Sequence, residues 1–363
     1  MIYNDIMKNA EKAFFLLLRS GLWECDLEDL SLFPLTDTEW RYILNLSVQQ
    51  TVTALVYEGV CRLPEDLMPA DGVMLKWVAM TDNIERRGIV MDKRVAGLVT
   101  FFSYNGLFPV LKKGQGVASF YIKPYLRECG DIDIYFPEEE DRKKAVELVA
   151  REGGKVDTMP DGAMTFGWRG TEVEMHADLL DIQNPFKKSY LLSLQHEYGF
   201  VTEDIGGTRV SVPSPMLNLL LLNTHIMKHA LGWGIGLRQV CDMARLCYSL
   251  NGEFDSLEMK RVCRKLGIER WSRLLHGFMV ENIGLDKQFL PYSEMYSSSS
   301  TLMKIIMEGG NFGFCRRGKT EEKNILMRKM NTLRSFLMNT GTSLKYAPGE
   351  ALFTVVDLIK GQF

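Results

Sequence analysis

Apolar residues recur at helical spacing through the first hundred residues of the chain. A long amphipathic stretch without proline, residues 74–102, predicts one long helix. A shorter helix is predicted to start at Asp37. Two apolar stripes at i, i+3, i+4 spacing support this interpretation, namely Ala13, Phe14, Leu17 and Leu18, and then Trp40, Ile43, Leu44 and Val48. The pattern predicts an N-terminal helical region over residues 1–105 with a structural role.

The periodicity changes to that of strands after Asn105 and Gly106. Residues 107–111 are a short apolar run, and Pro109 within it suits an edge position or the first residues of a strand. Polar and apolar residues then alternate from Asp131 onwards, as in a half-buried strand. Further strands are predicted at 131–136, 164–168, 171–177 and 208–212, and helical segments at 115–121 and 138–152.

The pattern is helical again beyond Pro213 and Pro215. Residues 216–230 are strongly apolar, and a glycine-rich break at 232–236 follows them. Later helices are predicted at 237–250, 255–266, 269–283 and 321–339. The sequence therefore predicts an α+β fold, in which a small mixed sheet within residues 106–212 is flanked by helical regions at 1–105 and 213–363.

Composition narrows the class of protein. The net charge is −3, which gives no general attraction to nucleic acid or anionic membrane. The seven cysteines are scattered without a C-x-x-C pair, so neither a disulfide framework nor a structural zinc site is expected. The apolar runs are far shorter than the roughly 18 residues of a membrane span. We expect a cytoplasmic protein that does not enter the membrane.

Two aspartates carry the clearest chemical signal. Asp131 and Asp133 lie two apart in a predicted strand, so their carboxylates project from the same face. Holding both ionised is costly unless a cation sits between them, and Mg²⁺ prefers such oxygen ligands. The alternative is an exposed strand edge with two solvated acids.

A second strand adds polar groups at the same spacing. Glu172, Glu174 and His176 share one face, and Glu174, in the centre, is the best candidate for a third carboxylate ligand. His176 would orient the cluster, contact substrate or serve only as a hydrogen-bonded strand histidine. Lys113 and Gly114 follow the first strand, where a glycine lets the backbone approach a phosphate and the lysine adds a point charge.

These motifs resemble the uncharacterised nucleotidyltransferase family of the DNA polymerase β-like superfamily. The residues that carry the resemblance are Lys113-Gly114, Tyr121, Pro124, Arg127, Gly130-Asp131-Ile132-Asp133 and Val173-Glu174-Met175-His176, with His225, His229, Gly236-Leu237-Arg238 and Asp242 further on. The resemblance covers about residues 80–248. The chain departs from the superfamily pattern at Gln115, where serine or glycine is usual after the turn glycine.

The resemblance implies a site and a reaction. Asp131, Asp133 and Glu174 would be the catalytic and metal-binding acids for two Mg²⁺ ions, with Mn²⁺ as the alternative. Lys113, Gly114 and Arg127 would bind the nucleotide. The reaction would transfer a nucleotidyl group from an NTP to the hydroxyl of an unknown small molecule, sugar or protein, releasing pyrophosphate.

Weaker signals come from the helices that follow. His225 and His229 share a helix face and are candidates for substrate contact or for helix packing. Arg238 is a further candidate for substrate contact, or forms an intrahelical ion pair with Asp242. A small basic loop at Arg316, Arg317 and Lys319 is expected to be solvated rather than to bind nucleic acid.

Two other functions remain open at this level. The chain is either an active transferase or a catalytically silent protein that keeps the fold and holds a nucleotide, a possibility that the altered turn at Gln115 leaves open. A toxin-type transferase that modifies RNA is disfavoured by the acidic balance and by the lack of an extended basic face.

Overall fold

The computed structural model describes residues 2–159, 162–232, 234–310 and 340–360. Its α-helices are α1 Ile2–Trp23, α2 Asp37–Gln49, α3 Thr53–Val60, α4 Asp71–Tyr104, α5 Gln115–Ala118, α6 Glu139–Arg151, α7 Lys188–Tyr198, α8 Pro215–Gly232, α9 Leu237–Ser249, α10 Ser256–Leu266, α11 Glu269–Phe278, α12 Ser300–Gly309 and α13 Pro348–Lys360. Its strands are β1 Val110–Leu111, β2 Ile132–Tyr135, β3 Asp157–Thr158, β4 Met164–Trp168, β5 Thr171–His176, β6 Phe200–Ile205 and β7 Thr208–Pro213. The predicted α+β fold with helical flanks is confirmed.

The N-terminal helices form as the sequence predicts. Thr36 caps α2 through a reciprocal pair of bonds, because its hydroxyl accepts from the Glu39 amide while the Glu39 carboxylate accepts from the Thr36 amide. Helices α1 and α3 approach so closely that a Cβ on Gly59 would lie 2.0 Å from the Leu17 carbonyl oxygen. Glycine is therefore required at this crossing for steric reasons.

The sheet has seven strands in the order β3-β4-β5-β2-β1-β7-β6. Two parallel pairings, β2 with β5 and β1 with β7, lie at its centre, and the other neighbours are antiparallel. In the β2–β5 pair Ile132 is opposite Val173, and Asp133 is opposite Glu174. Residues opposite each other in a sheet share a face, so this register determines which side chains meet.

Each face of the sheet has its own hydrophobic core. One face packs Ile132, Ile134, Val173 and Met175 against helices α4 and α6. The other face meets a larger core built from helices of both flanks. Several hydrogen bonds link those flanks directly; for example, the Trp23 indole donates to the Ile283 carbonyl at 2.7 Å, and the Gln50 amide donates to the Ile306 carbonyl at 3.1 Å. The polar residues of β2 and β5 point towards this second, mainly helical side.

Several elements differ from the sequence prediction. The first strand contains only Val110 and Leu111, because Pro109 cannot donate a ladder hydrogen bond. This strand lies in the sheet centre, so the edge alternative for Pro109 is wrong, whereas the alternative at the start of a strand agrees with its position directly before Val110. Strands β3 and β6 and helices α7, α12 and α13 were not anticipated. The predicted helix at 269–283 changes to a π-helical turn at Met279–Ile283.

Two further expectations from the sequence concern disulfide bonds and membrane-spanning helices. The six cysteines in the described ranges are not disulfide-bonded. Among the described helices, none is both long and apolar enough to cross a membrane. The predicted helix at 321–339, the basic loop at Arg316, Arg317 and Lys319, and Cys315 lie outside the described residues.

Candidate functional site

The polar face of the β2–β5 pair forms the floor of the candidate site. Asp133 lies opposite Glu174, and Tyr135 lies opposite His176, so Asp133, Glu174 and His176 project to the same side. The intervening apolar residues anchor the two strands in the α4–α6 core. Alternation along two parallel strands therefore separates an apolar face, packed against α4 and α6, from a polar face.

Three of these side chains converge. Each of Asp133, Glu174 and His176 offers one ligand atom, and these atoms all lie within 4.8 Å of one another. The His176 Nε2 atom is 2.7 Å from Asp133 Oδ1 and 3.7 Å from Glu174 Oε2. Two carboxylates and an imidazole at this spacing form a donor set that fits a divalent cation.

Asp131 lies just before β2 and is exposed. It lines the same cavity but is not part of the three-residue cluster. The negative charge of Asp133 raises the pKa of the Asp131 carboxyl, while the positive charge of Lys113 opposes this effect. The repulsion expected from the D-x-D spacing is therefore present in the folded chain.

Lys113 neutralises Asp133 directly. Its Nζ atom is 3.1 Å from Asp133 Oδ1, and the two side chains are only 14% and 4% exposed. Burial disfavours the ionised carboxyl, but the Lys113 charge and the hydrogen bond with His176 outweigh it and hold the pKa of Asp133 well below its usual value. Burial also lowers the pKa of His176 to about 4, with a contribution from Lys112, so this imidazole is neutral at pH 7.

The turn before α5 has the backbone conformation expected of glycine. Gly114 has φ of +65°, where a side chain would be strained, although the nearest atom to an added Cβ is the Asp131 carbonyl oxygen at 3.9 Å. The next residue, Gln115, is buried and donates through its side-chain amide to Asp92 of α4. Gln115, the residue at which the sequence departs from the expected turn pattern, therefore contacts α4 through its side-chain amide.

A cavity of about 450 Å³ lies above the polar face of the β2–β5 pair. Helices α8 and α9 and the loop after β5 form the wall opposite the sheet. The candidate residues that line it are Lys113, Gly114, Arg127, Asp131, Asp133, Glu174, His176, His225, His229 and Arg238. All ten residues proposed from the sequence therefore border one space, although Lys113 and Arg238 are 125 residues apart in the sequence.

A second polar group lies on the helical wall. His225 Nδ1 is 3.0 Å from Asp181 Oδ2, and Lys228 Nζ is 3.2 Å from the other oxygen of Asp181. The rings of His225 and His229 pack edge to face with centroids 4.4 Å apart. Burial lowers the pKa of His225 to about 4 and that of His229 well below its usual value. Both rings are therefore neutral at pH 7.

Arg127 has a structural partner. Its guanidinium donates to both Asp242 oxygens, at 2.7 and 2.8 Å, and Tyr121 donates to the same carboxylate at 2.7 Å. Asp242 thus pairs with Arg127. The intrahelical ion pair between Arg238 and Asp242, offered as an alternative from the sequence, is therefore wrong. Arg238 instead donates to the Glu128 carbonyl at 2.8 Å, and its Nε makes no hydrogen bond within the described part of the chain.

Sequence reasoning missed charged residues in and beside the site. Lys112 is 2% exposed and donates to the Asp178 carbonyl at 2.9 Å, and burial lowers its pKa to about 8. Asp181 lies in a loop with no periodic signal. Lys228 could have been found, because it is three residues after His225 on the same helix face.

Comparisons with known proteins identify a family for the chain. No protein with a curated description matches the chain. Among solved structures, an antigenic nucleotidyltransferase-like protein from Paracoccidioides brasiliensis is similar with 13% identity and a TM-score of 0.31, and the alignment covers 57% of this chain and 94% of that one. The family described as uncharacterised nucleotidyltransferase matches residues 36–281. Because that match spans more than half of the sequence, the chain belongs to the uncharacterised nucleotidyltransferase family.

Proposed function

We propose that this protein is an enzyme, dependent on a divalent metal ion, that transfers a nucleotidyl group from an NTP to the hydroxyl of an acceptor. The observation that carries the proposal is the convergence of Asp133 and Glu174, on paired strands, at the floor of a cavity of about 450 Å³. Family membership supports nucleotidyl transfer as the reaction class. The acceptor class is a small molecule, a sugar or a protein side chain.

The acids would hold the cations. Asp133 and Glu174 supply carboxylate oxygens within 4.8 Å of each other, and Asp131, on the same side of β2, is close enough in sequence to add another. When bound, two divalent ions would supply charge stabilisation for the attacking and leaving oxygens of an in-line displacement. Glu174, 26% exposed and so accessible from the cavity, is the candidate to receive the acceptor proton.

The proposed reaction breaks one bond and forms one. The acceptor oxygen attacks the α-phosphorus of the NTP, the bond from that phosphorus to the bridging oxygen breaks, and pyrophosphate leaves with the bonding electrons. Lys113 would bind the triphosphate, with the Gly114 backbone beside it, since both line the cavity. Arg238 would add a second cation from the helical wall, and Arg127 would support that wall through Asp242.

The acceptor would lie between the cations and the helical wall. The His225–Asp181 pair and His229 present neutral imidazoles to the cavity, and such groups hydrogen-bond to hydroxyls without competing for phosphate. This arrangement favours a polar, hydroxyl-bearing acceptor of small size or a single protruding side chain.

Calorimetric titration of each NTP in the presence of Mg²⁺ tests the binding half of the proposal. We expect saturable binding to the wild type and its loss in Asp131→Ala/Asp133→Ala. Labelled-nucleotide transfer to cell-extract components, together with pyrophosphate release, tests the chemical half. Nucleotide binding without any transfer or pyrophosphate release across a broad acceptor screen would reject an active enzyme.

A second candidate function is that of a silent nucleotide-binding protein. It is favoured by the contact of Gln115 with α4 at the turn where the superfamily has serine or glycine. Its signature would be NTP binding that persists in Asp131→Ala/Asp133→Ala without added metal. The same titrations therefore distinguish the two candidates.

A further inference from the structure

The cluster at the floor of the cavity contains a nitrogen donor. His176 takes the place that the sequence assigned to Asp131, because its Nε2, rather than an Asp131 oxygen, completes the group of three ligand atoms. Asp133 is nearly fully buried, whereas His176 and Glu174 are 12% and 26% exposed at their side chains. The three therefore line a pocket that opens towards the cavity rather than a sealed core position.

The separations of the three atoms suit shared coordination. Adjacent ligands around an octahedral ion with bonds of about 2.1 Å lie about 3 Å apart. The His176 Nε2 atom is 2.7 Å from Asp133 Oδ1 and 3.7 Å from Glu174 Oε2, distances that bracket this value. The register explains the fit, because Glu174 is opposite Asp133 and His176 is two residues further along the same face.

An imidazole changes which ion such a site prefers. Mg²⁺ is a hard cation that favours oxygen ligands and gives up water reluctantly. First-row transition ions accept imidazole readily, and Mn²⁺ also accepts carboxylates and water. We propose that His176 is a direct ligand and that the cluster Asp133–Glu174–His176 binds Mn²⁺ in preference to Mg²⁺. This rests on the proposed function only in taking a divalent cation to be the ion that the acids hold.

The structure also allows a purely positioning role, in which His176 only orients Asp133 through their hydrogen bond. The two roles differ in one observable, a bond between the ion and a histidine nitrogen. Electron spin-echo modulation of bound Mn²⁺ detects such a nitrogen directly and needs no enzymatic activity. Labelling the protein with ¹⁵N-histidine identifies the nitrogen in the unmodified chain, so the test does not depend on a variant that folds.

The experiment combines that spectrum with competition between Mn²⁺ and Mg²⁺. We expect ¹⁴N modulation that changes to ¹⁵N on labelling, and Mn²⁺ affinity that falls by about tenfold or more in His176→Asn while Mg²⁺ affinity changes much less. His225→Asn is the matched control, since that histidine lines the same cavity but pairs with Asp181. This variant should retain both the histidine nitrogen modulation of bound Mn²⁺ and the preference for Mn²⁺ over Mg²⁺.

Two results would overturn the proposal. Binding of Mn²⁺ that is lost in Asp133→Asn but shows no histidine modulation would reject His176 as a ligand while leaving the proposed function intact. Absence of any Mn²⁺ or Mg²⁺ binding that depends on Asp133, with or without NTP, would reject both this inference and the metal-dependent reaction.

Discussion

Lys113 and a divalent cation should compete for the same carboxylate, and this competition can be measured. In the structure the Lys113 ammonium is 3.1 Å from Asp133 Oδ1, on a nearly buried carboxylate that also contacts His176. A cation bound to Asp133 must share the site with this positive charge or displace it. Lys113→Met removes the charge and preserves most of the length of the side chain.

The size of the effect follows from the distance. At 3.1 Å, two unit charges attract by about 5 kcal/mol when the effective dielectric constant is about 20. Desolvation of both groups offsets much of this attraction, so the net gain for the cation is smaller. We expect Lys113→Met to tighten divalent-ion binding in the absence of nucleotide by about 10- to 100-fold, or about 1.4 to 3 kcal/mol.

Nucleotide binding should change in the opposite direction. If Lys113 leaves Asp133 to contact the triphosphate when the metal binds, its removal deletes a charge-assisted hydrogen bond worth about 1.5 to 3 kcal/mol. NTP affinity at saturating metal should therefore fall by about tenfold or more. A residue with only a structural role would not produce opposite changes for the two ligands.

Calorimetric titration with Mn²⁺ or Mg²⁺ alone, and then with NTP at saturating metal, measures both changes. Lys228→Met is the matched control, because Lys228 lines the same cavity but pairs with Asp181. It should leave metal affinity nearly unchanged. Metal binding by Lys113→Met that is equal to or weaker than that of the wild type would refute the competition.

Three further predictions concern stability. Asp242→Ala should lower the free energy of unfolding by about 3 to 5 kcal/mol, because it leaves Arg127 buried without its partner. Urea unfolding of Asp242→Ala, Arg127→Met and the double variant should show strong non-additivity, and additive losses would contradict a structural pair. Gly59→Ala should lower the free energy of unfolding by about 1 to 3 kcal/mol or more, since the new Cβ would overlap the Leu17 carbonyl; an unchanged thermal midpoint would show that the α1–α3 crossing relaxes freely. Burial lowers the pKa of His276 to about 4 from 6.5, so protons bind preferentially to the unfolded chain and stability should decline by up to about 3 kcal/mol as pH falls from about 6.5 to 4. His276→Gln should flatten that part of the pH–stability profile, and an unchanged slope would assign the loss to other groups.

The sequence was sufficient for features with strong local signals. The i, i+3, i+4 stripes predicted helices in the segments that form α1 and α2, and the long helix α4 follows from its periodicity. Alternation also predicted that Asp133 and Glu174 would point away from the apolar core. Their mutual alignment needed one further fact, the parallel register of β2 and β5, which alternation alone does not specify.

The remaining features depend on long-range contacts. Strand β6 has weak alternation and forms because β7 pairs along its whole length. The partner of Arg127 is 115 residues away, so its role as a buried ion-pair residue has no local signature. The role of Asp181 also has no local signature, because only the packing of α8 against the loop after β5 brings it to His225 and Lys228.

The helices that follow the sheet form part of the candidate site, because residues of α8 and α9 line the cavity. The sheet supplies Lys113, Asp133 and Glu174, but a flat polar face open to water would screen their charges and hold a triphosphate weakly. Helices α8 and α9 cover that face, and they bring Arg238 and the His225–Asp181 pair to the opposite wall. The buried bonds from Asp242 to Arg127 and Tyr121 fix α9 to the segment between α5 and β2. The acids therefore lie in a partly desolvated space because that ion pair keeps the helical wall in place. On the proposed function, a loss of the wall should weaken ligand binding even when all three cluster residues are intact.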